Sequence, residues 1–170
     1  MINAFVTHMK EIGWDIVLNE KQDNDIPKTL TDRYANIPQE WLEYVKSVKH
    51  MVSPDETTWV LGAEDFEVQG DKAFQWNEWE LMSLESAGND EEWKRSIGKF
   101  WNQHLPIVMS VRGGYSYYAI CMEDGSVVRG AAPEFEECET VASSFSVFME
   151  NIIQSDIKIR YRRDSIKRLF

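Results

Sequence analysis

The residues from Pro106 to Ile153 constrain the fold more tightly than any other part of this chain. An apolar run breaks at Gly113-Gly114, an aromatic run follows, Glu123-Asp124-Gly125 interrupts, and Val127-Val128 resumes. Asp-Gly between two β-prone runs is a hairpin signal, because the glycine reaches backbone angles that other residues avoid. The spacing predicts strands over 106–112, 115–122 and 126–129, then a helix over 143–154. Ser143 or Ser144 can cap that helix, since a hydroxyl accepts from an exposed backbone N–H. Phe145, Phe148, Met149 and Ile152 fall at i, i+3, i+4 and i+7, one face of a helix. A sheet carrying a helix, with almost no reactive chemistry in it, points toward a recognition domain rather than an enzyme.

The preceding residues divide less cleanly. Ile2, Phe5, Val6, Met9 and Ile12 give a helix over 2–12 that Gly13 can close. Residues 19–32 are polar and broken by Pro27, and read as a loop. A second helix is predicted from Pro38, at its first position, through the stripe Trp41, Val45, Val48 and Val52, with Pro54 blocking continuation. Residues 57–61 read as a short strand, and 76–86 as a helix ended by Gly88-Asn89. A length of 170 residues suits one domain, here 1–157, with 158–170 as a basic tail.

Charge narrows the partners. The net charge is −11, and the tail holds six bases and one acid, so its +5 leaves −16 on the remainder. An acidic body does not seek phosphate backbones, which argues against nucleic acid. It suits a basic partner, whose encounter an opposite potential accelerates. The tail either folds back onto the body by attraction or engages another molecule. The two cysteines, Cys121 and Cys138, form no CxxC, and the first residues have no basic, apolar leader pattern. No window approaches a membrane span. The expectation is a cytoplasmic protein.

The search for catalysis and for metal or cofactor sites yields nothing. The histidines His8, His50 and His104 fall in different elements, and Gly113-Gly114 alone is a turn rather than a phosphate cradle. Adjacent carboxylates such as Asp90-Glu91-Glu92 read as solvated faces, and Glu123-Asp124-Gly125 lacks the spaced ligands of a calcium loop. The segment Gly62–Trp93 differs in character: up to Glu92 it carries ten acids against Lys72, and it holds Phe66, Phe74, Trp76, Trp79 and Trp93. Acids steer a basic partner, and rigid aromatics anchor it. The candidate partner-binding residues are Glu64, Asp65, Trp76, Glu78, Trp79 and Glu80, with Tyr115 and Tyr117 on a neighbouring rim. Trp76 and Trp79, three apart on a helix, would share a face, while Trp59 reads as core.

The order of elements resembles a known family. Its carriers are Ile37-Pro38-Gln39-Glu40-Trp41-Leu42-Glu43-Tyr44-Val45, Trp59-Val60-Leu61, Val108–Val111, Tyr117–Cys121, the turn Asp124-Gly125-Ser126-Val127, and the closing Ala142-Ser143-Ser144-Phe145-Ser146-Val147-Phe148-Met149. Over about residues 34–154 the chain is similar to the SUKH superfamily, which includes the Smi–Knr cell-wall-synthesis regulators. The resemblance implies an α+β fold, a central mostly antiparallel sheet with helices packed around it. It also implies an immunity protein that binds and blocks a cognate bacterial toxin domain, often a nuclease, without catalysis or cofactor. Eukaryotic relatives act as scaffolds for endogenous partners, which is the alternative. An enzyme acting on a sugar or a peptide is a third reading.

Overall fold

A computed structural model describes residues 1–19, 26–67 and 74–154 of the chain. The basic tail, with Asp71 and Lys72 of the acidic segment, lies outside the described residues.

The chain runs α1 (Ile2–Glu11), β1 (Asp15–Leu18), α2 (Lys28–Arg33), α3 (Gln39–Ser47), β2 (Val48–Val52), β3 (Thr58–Val60), a 3-10 turn (Ala63–Phe66), α4 (Glu78–Ser86), α5 (Glu91–Gln103), β4 (His104–Ser110), β5 (Ser116–Cys121), β6 (Val127–Ala131), β7 (Cys138–Ala142) and α6 (Phe145–Ile153). The seven strands form one sheet in chain order, every neighbouring pair antiparallel. This is the α+β architecture expected from the resemblance.

Alternation along β5 places the helices. Adjacent strand residues point to opposite faces. Tyr118 meets Phe148 of α6 with centroids 5.1 Å apart, whereas Tyr117 meets Trp101 of α5 at 4.9 Å. Helices therefore cover both faces. Phe5 of α1 lies 6.4 Å from Tyr44 of α3, and Tyr44 lies 5.6 Å from Phe145, so α1 and α3 join α6 on its side. Helix α4 packs with α5 on the other.

The closing helix forms as its residues dictate. Ser144 Oγ accepts from the backbone N–H of Val147 at 3.2 Å, and Phe145, Phe148, Met149 and Ile152 are all buried. The hairpin turn before β6 has Gly125 at φ +75°, and its N–H donates to Cys121 O at 2.8 Å.

Several elements differ from expectation. The helix predicted from Pro38 to Val52 stops at Ser47, Pro38 being its N-cap, and the chain continues directly as β2. Asn19 explains the stop: its Nδ2 donates to Val45 O and Lys46 O, and its backbone N–H to Ser47 O. Those are the carbonyls a helix end leaves orphaned, and the β-branched Val48 and Val52 then suit a strand. Part of the expected 19–32 loop is α2. The helix expected from residue 76 begins at Glu78, after N-cap Asn77. Helix α5 and the edge strands β1 and β7 were not foreseen. Asp90 starts α5 by accepting from the N–H groups of Glu92 and Trp93 at 3.1 and 2.9 Å.

One glycine is dictated by packing. Trp59, Met109, Tyr117, Gly130 and Cys138 form one line across the sheet by register. The Tyr117 ring lies over β6, and a Cβ on Gly130 would fall 2.6 Å from Tyr117 Cε1 and Cζ. Tyr117 cannot yield, because it is buried and its hydroxyl donates to Phe135 O. Gly130→Ala is expected to cost about 2–3 kcal/mol by overpacking. Gly98→Ala, where none of the described residues lies within 4 Å, is expected to stabilise α5 by about 0.5–1 kcal/mol. Urea midpoints of the two variants check both signs.

Candidate partner-binding surface

Three of the eight candidate residues are withdrawn from the surface. Trp79 is 1% exposed, with its indole stacked on Tyr115 at 4.7 Å and on Phe135 at 5.4 Å. Tyr117 is equally buried, and burial, aided by Cys138 and Glu136, pushes its phenol far above the ordinary range. Glu80 is buried too. Its two oxygens accept from Arg33 Nη1 and Nη2, both at 2.8 Å, while Arg33 Nε donates to Asn102 Oδ1 at 3.0 Å. The pair ties α2 to α4, and Asn102 adds α5.

The two tryptophans expected to share a face part company. Trp76 precedes the helix, so helical spacing does not apply to it. It packs on Phe66 at 5.3 Å and Tyr34 at 6.4 Å, with the Arg33 guanidinium 5.4 Å above its ring. Trp79 belongs to a separate ring cluster with Tyr115, Phe135 and Phe74.

Two of the three remaining acids bond to nearby backbone. Asp65 Oδ2 accepts from Gly62 N–H at 2.8 Å, fixing the 3-10 turn. That turn crosses β2 so closely that a Cβ on Gly62 would lie 2.8 Å from Lys49 O. Glu78 Oε2 accepts from Gln75 N–H at 3.2 Å, ahead of α4. Glu64 is exposed and 3.2 Å from Lys49 Nζ, with both side chains about half exposed, so water screens the pair heavily.

What the fold does present is an aromatic terrace. Phe74, 40% exposed, lies 6.5 Å from Trp59, 6.2 Å from Tyr115 and 6.0 Å from Trp79. Trp59 and Tyr115 are half-buried, and Trp79 with Phe135 forms the floor. The exposed Glu134 precedes Phe135, and the exposed Glu137 lies two residues after it. Of the eight candidates only Tyr115 belongs to the rim. Trp59, expected in the core, is half-buried and packs against the core, and Phe74 lies outside the candidate set. The signal for Trp59 was the alternation Thr58-Trp59-Val60, which turns its ring to the face opposite Val60.

Nearby, Asp55 pairs with Arg112 at 3.1 Å. Burial works against its carboxylate. Hydrogen bonds from Ser53 and Thr57, with the Arg112 charge, nevertheless hold it below the usual range. His104 is pushed down by burial, and its Nδ1 lies 2.8 Å from Phe100 O. Cys121 and Cys138 are free thiols. Among the described residues no group of three or more His, Cys, Asp or Glu could hold a metal ion, and no helix is long and apolar enough to cross a membrane.

Comparison of the chain with family models, with curated proteins and with solved structures finds no match in any of the three.

Proposed function

We propose that this chain is a SUKH-type immunity protein that binds a cognate basic toxin domain in the cytoplasm and blocks it by protein–protein contact, without catalysis. The observation that carries the reading is the aromatic terrace of Trp59, Phe74 and Tyr115 on a stacked floor, in a chain of net charge −11. Rigid rings lose little freedom on binding and bury large area, which is why such residues dominate tight interfaces. The surrounding negative potential accelerates encounter with a basic partner. The seven-stranded antiparallel sheet between helices agrees with what the SUKH resemblance implies.

The test is recovery of the tagged full chain from its native host. The expected companion is one stoichiometric protein with a basic toxin domain. Phe74→Ala or Tyr115→Ala should weaken that complex by about 30-fold or more, equivalent to at least about 2 kcal/mol. Association should slow as salt rises. A companion that is an endogenous, non-toxic protein would replace the immunity reading with the scaffold reading. A toxin complex indifferent to both substitutions would move the contact away from the terrace.

A further inference from the structure

We propose that a second copy of this chain docks on the free edge of β1, by antiparallel pairing of β1 with itself. Among the described residues β1 pairs with β2 alone, so it ends the sheet. Natural edge strands are commonly blunted by Lys, Pro or a bulge. Asp15-Ile16-Val17-Leu18 contains neither Lys nor Pro, and the register shift beside Val17 is taken up on β2, where Lys49 is the extra residue. Apolar exposure gathers here. Val17 and Leu18 are each 45% exposed, and Ile12, three residues before the strand, is 49% exposed. A β-prone, apolar, unblunted edge is a template for another strand.

Backbone direction fixes the register. Asn19 N–H donates inward, to Ser47 O at 3.0 Å. Backbone groups alternate in direction along an antiparallel strand. Those of Asp15 and Val17 therefore also turn to β2, and those of Ile16 and Leu18 turn outward. A two-fold axis at Val17 sets Ile16 of one copy against Leu18 of the other, each donating to and accepting from its opposite. The two Val17 side chains then meet as a non-hydrogen-bonded pair, with Cα atoms about 4.5 Å apart. Ile16 pairs with the buried Met51 and shares its face with Leu18, so each Leu18 gains an apolar neighbour in the other copy's Ile16.

Charge favours a second copy at this edge. Asp15 is the one charged residue of β1, and His50 Nε2 lies 3.9 Å from its carboxylate. In the register above it faces Asn19 of the second copy, not another acid. The opposite edge, β7, differs: Glu136, Glu137 and Glu139 fall within four residues there, and like charges brought together across strands are destabilising. Pairing through β1 uses the sheet edge, whereas Trp59 lies on β3, two strands away, so a dimer keeps both terraces open. This inference needs no toxin, and its failure leaves the immunity proposal untouched.

The experiment is sedimentation velocity of the full chain from about 1 μM to about 1 mM, since a contact this small associates weakly. The chain should pass from monomer to dimer and no further, because a two-fold contact closes. Raising salt from about 0.05 to about 0.5 M should favour the dimer by screening the repulsion between two bodies of net charge −11, the opposite sign to that expected for a basic partner. Val17→Lys sets two ammonium groups at the axis and should weaken the dimer about tenfold. Val17 is exposed, so the thermal melt should hardly change. In a Cys121→Ser/Cys138→Ser background, Val17→Cys should oxidise to a covalent dimer, because the paired Cα atoms lie within the disulfide range of about 4.4–6.8 Å. Glu139→Cys, on the other edge, should not. A chain still monomeric at about 1 mM, a dimer indifferent to Val17→Lys, or equal cross-linking through Glu139→Cys would overturn the proposal.

Discussion

Arg33→Ala should be among the most damaging single substitutions in this chain, lowering stability by about 3 kcal/mol or more. The side chains of Arg33 and Glu80 are 20% and 11% exposed, and the two hydrogen bonds between them are both 2.8 Å long. Removing the cation strands a carboxylate in a poorly solvated place, where the desolvation cost has no compensation. It also removes the guanidinium from above Trp76 and breaks the link to Asn102. The signature of a stranded charge is rescue by removing the other one. Arg33→Met with Glu80→Leu should therefore be far more stable than Arg33→Ala, because a well-packed apolar pair replaces a buried ion pair at little cost. Thermal melts of wild type, Arg33→Ala and the double variant decide the matter. A double variant no more stable than the single would show that packing, not charge, sets the loss.

Trp79→Ala should cost about 3–5 kcal/mol, the range for emptying a large buried aromatic site. The indole is sandwiched between Tyr115 and Phe135, so its loss undermines the floor of the terrace. Trp79→Phe should cost about 1 kcal/mol or less. Trp79 Nε1 is buried without a hydrogen-bond partner among the described residues, and burying an unpaired N–H costs about 1–3 kcal/mol, so its removal offsets much of the lost area. Urea denaturation of the two variants, with unchanged slope, checks the pair. A phenylalanine variant as unstable as the alanine one would contradict the stacking account.

The legibility of this fold in its sequence follows a physical divide. Residues 106–129 and 143–154 were readable because local signals agree there: Asp124-Gly125 needs a tight turn, Ser144 caps, and the apolar residues of α6 repeat at helical spacing. The α3–β2 junction was not readable. Trp41, Val45, Val48 and Val52 keep helical spacing across a helix end that Asn19 imposes from 26 residues away. Strands β1 and β7 lie at the sheet edges with mostly exposed side chains, so they lack the apolar alternation that announces a strand.

The candidate surface was legible in kind and misplaced in detail. Aromatics and acids do gather around α4, but spacing cannot show that Glu80 is claimed by Arg33 or that Trp76 stands outside the helix. Composition located the segment. Only the packing shows which of its rings face outward: Phe74 and Trp93 do, while Trp79 supports Phe74 from beneath.

A rescue experiment tests the proposed neutralisation through the terrace. The basic domain recovered with the tagged chain is expressed in a sensitive host, alone, with the wild-type chain, and with Phe74→Ala/Tyr115→Ala at equal soluble level. Growth arrested by the domain alone, restored by the wild type and not by the double variant, is the predicted result. Growth unaffected by the domain, or restored equally by the double variant, would contradict the account.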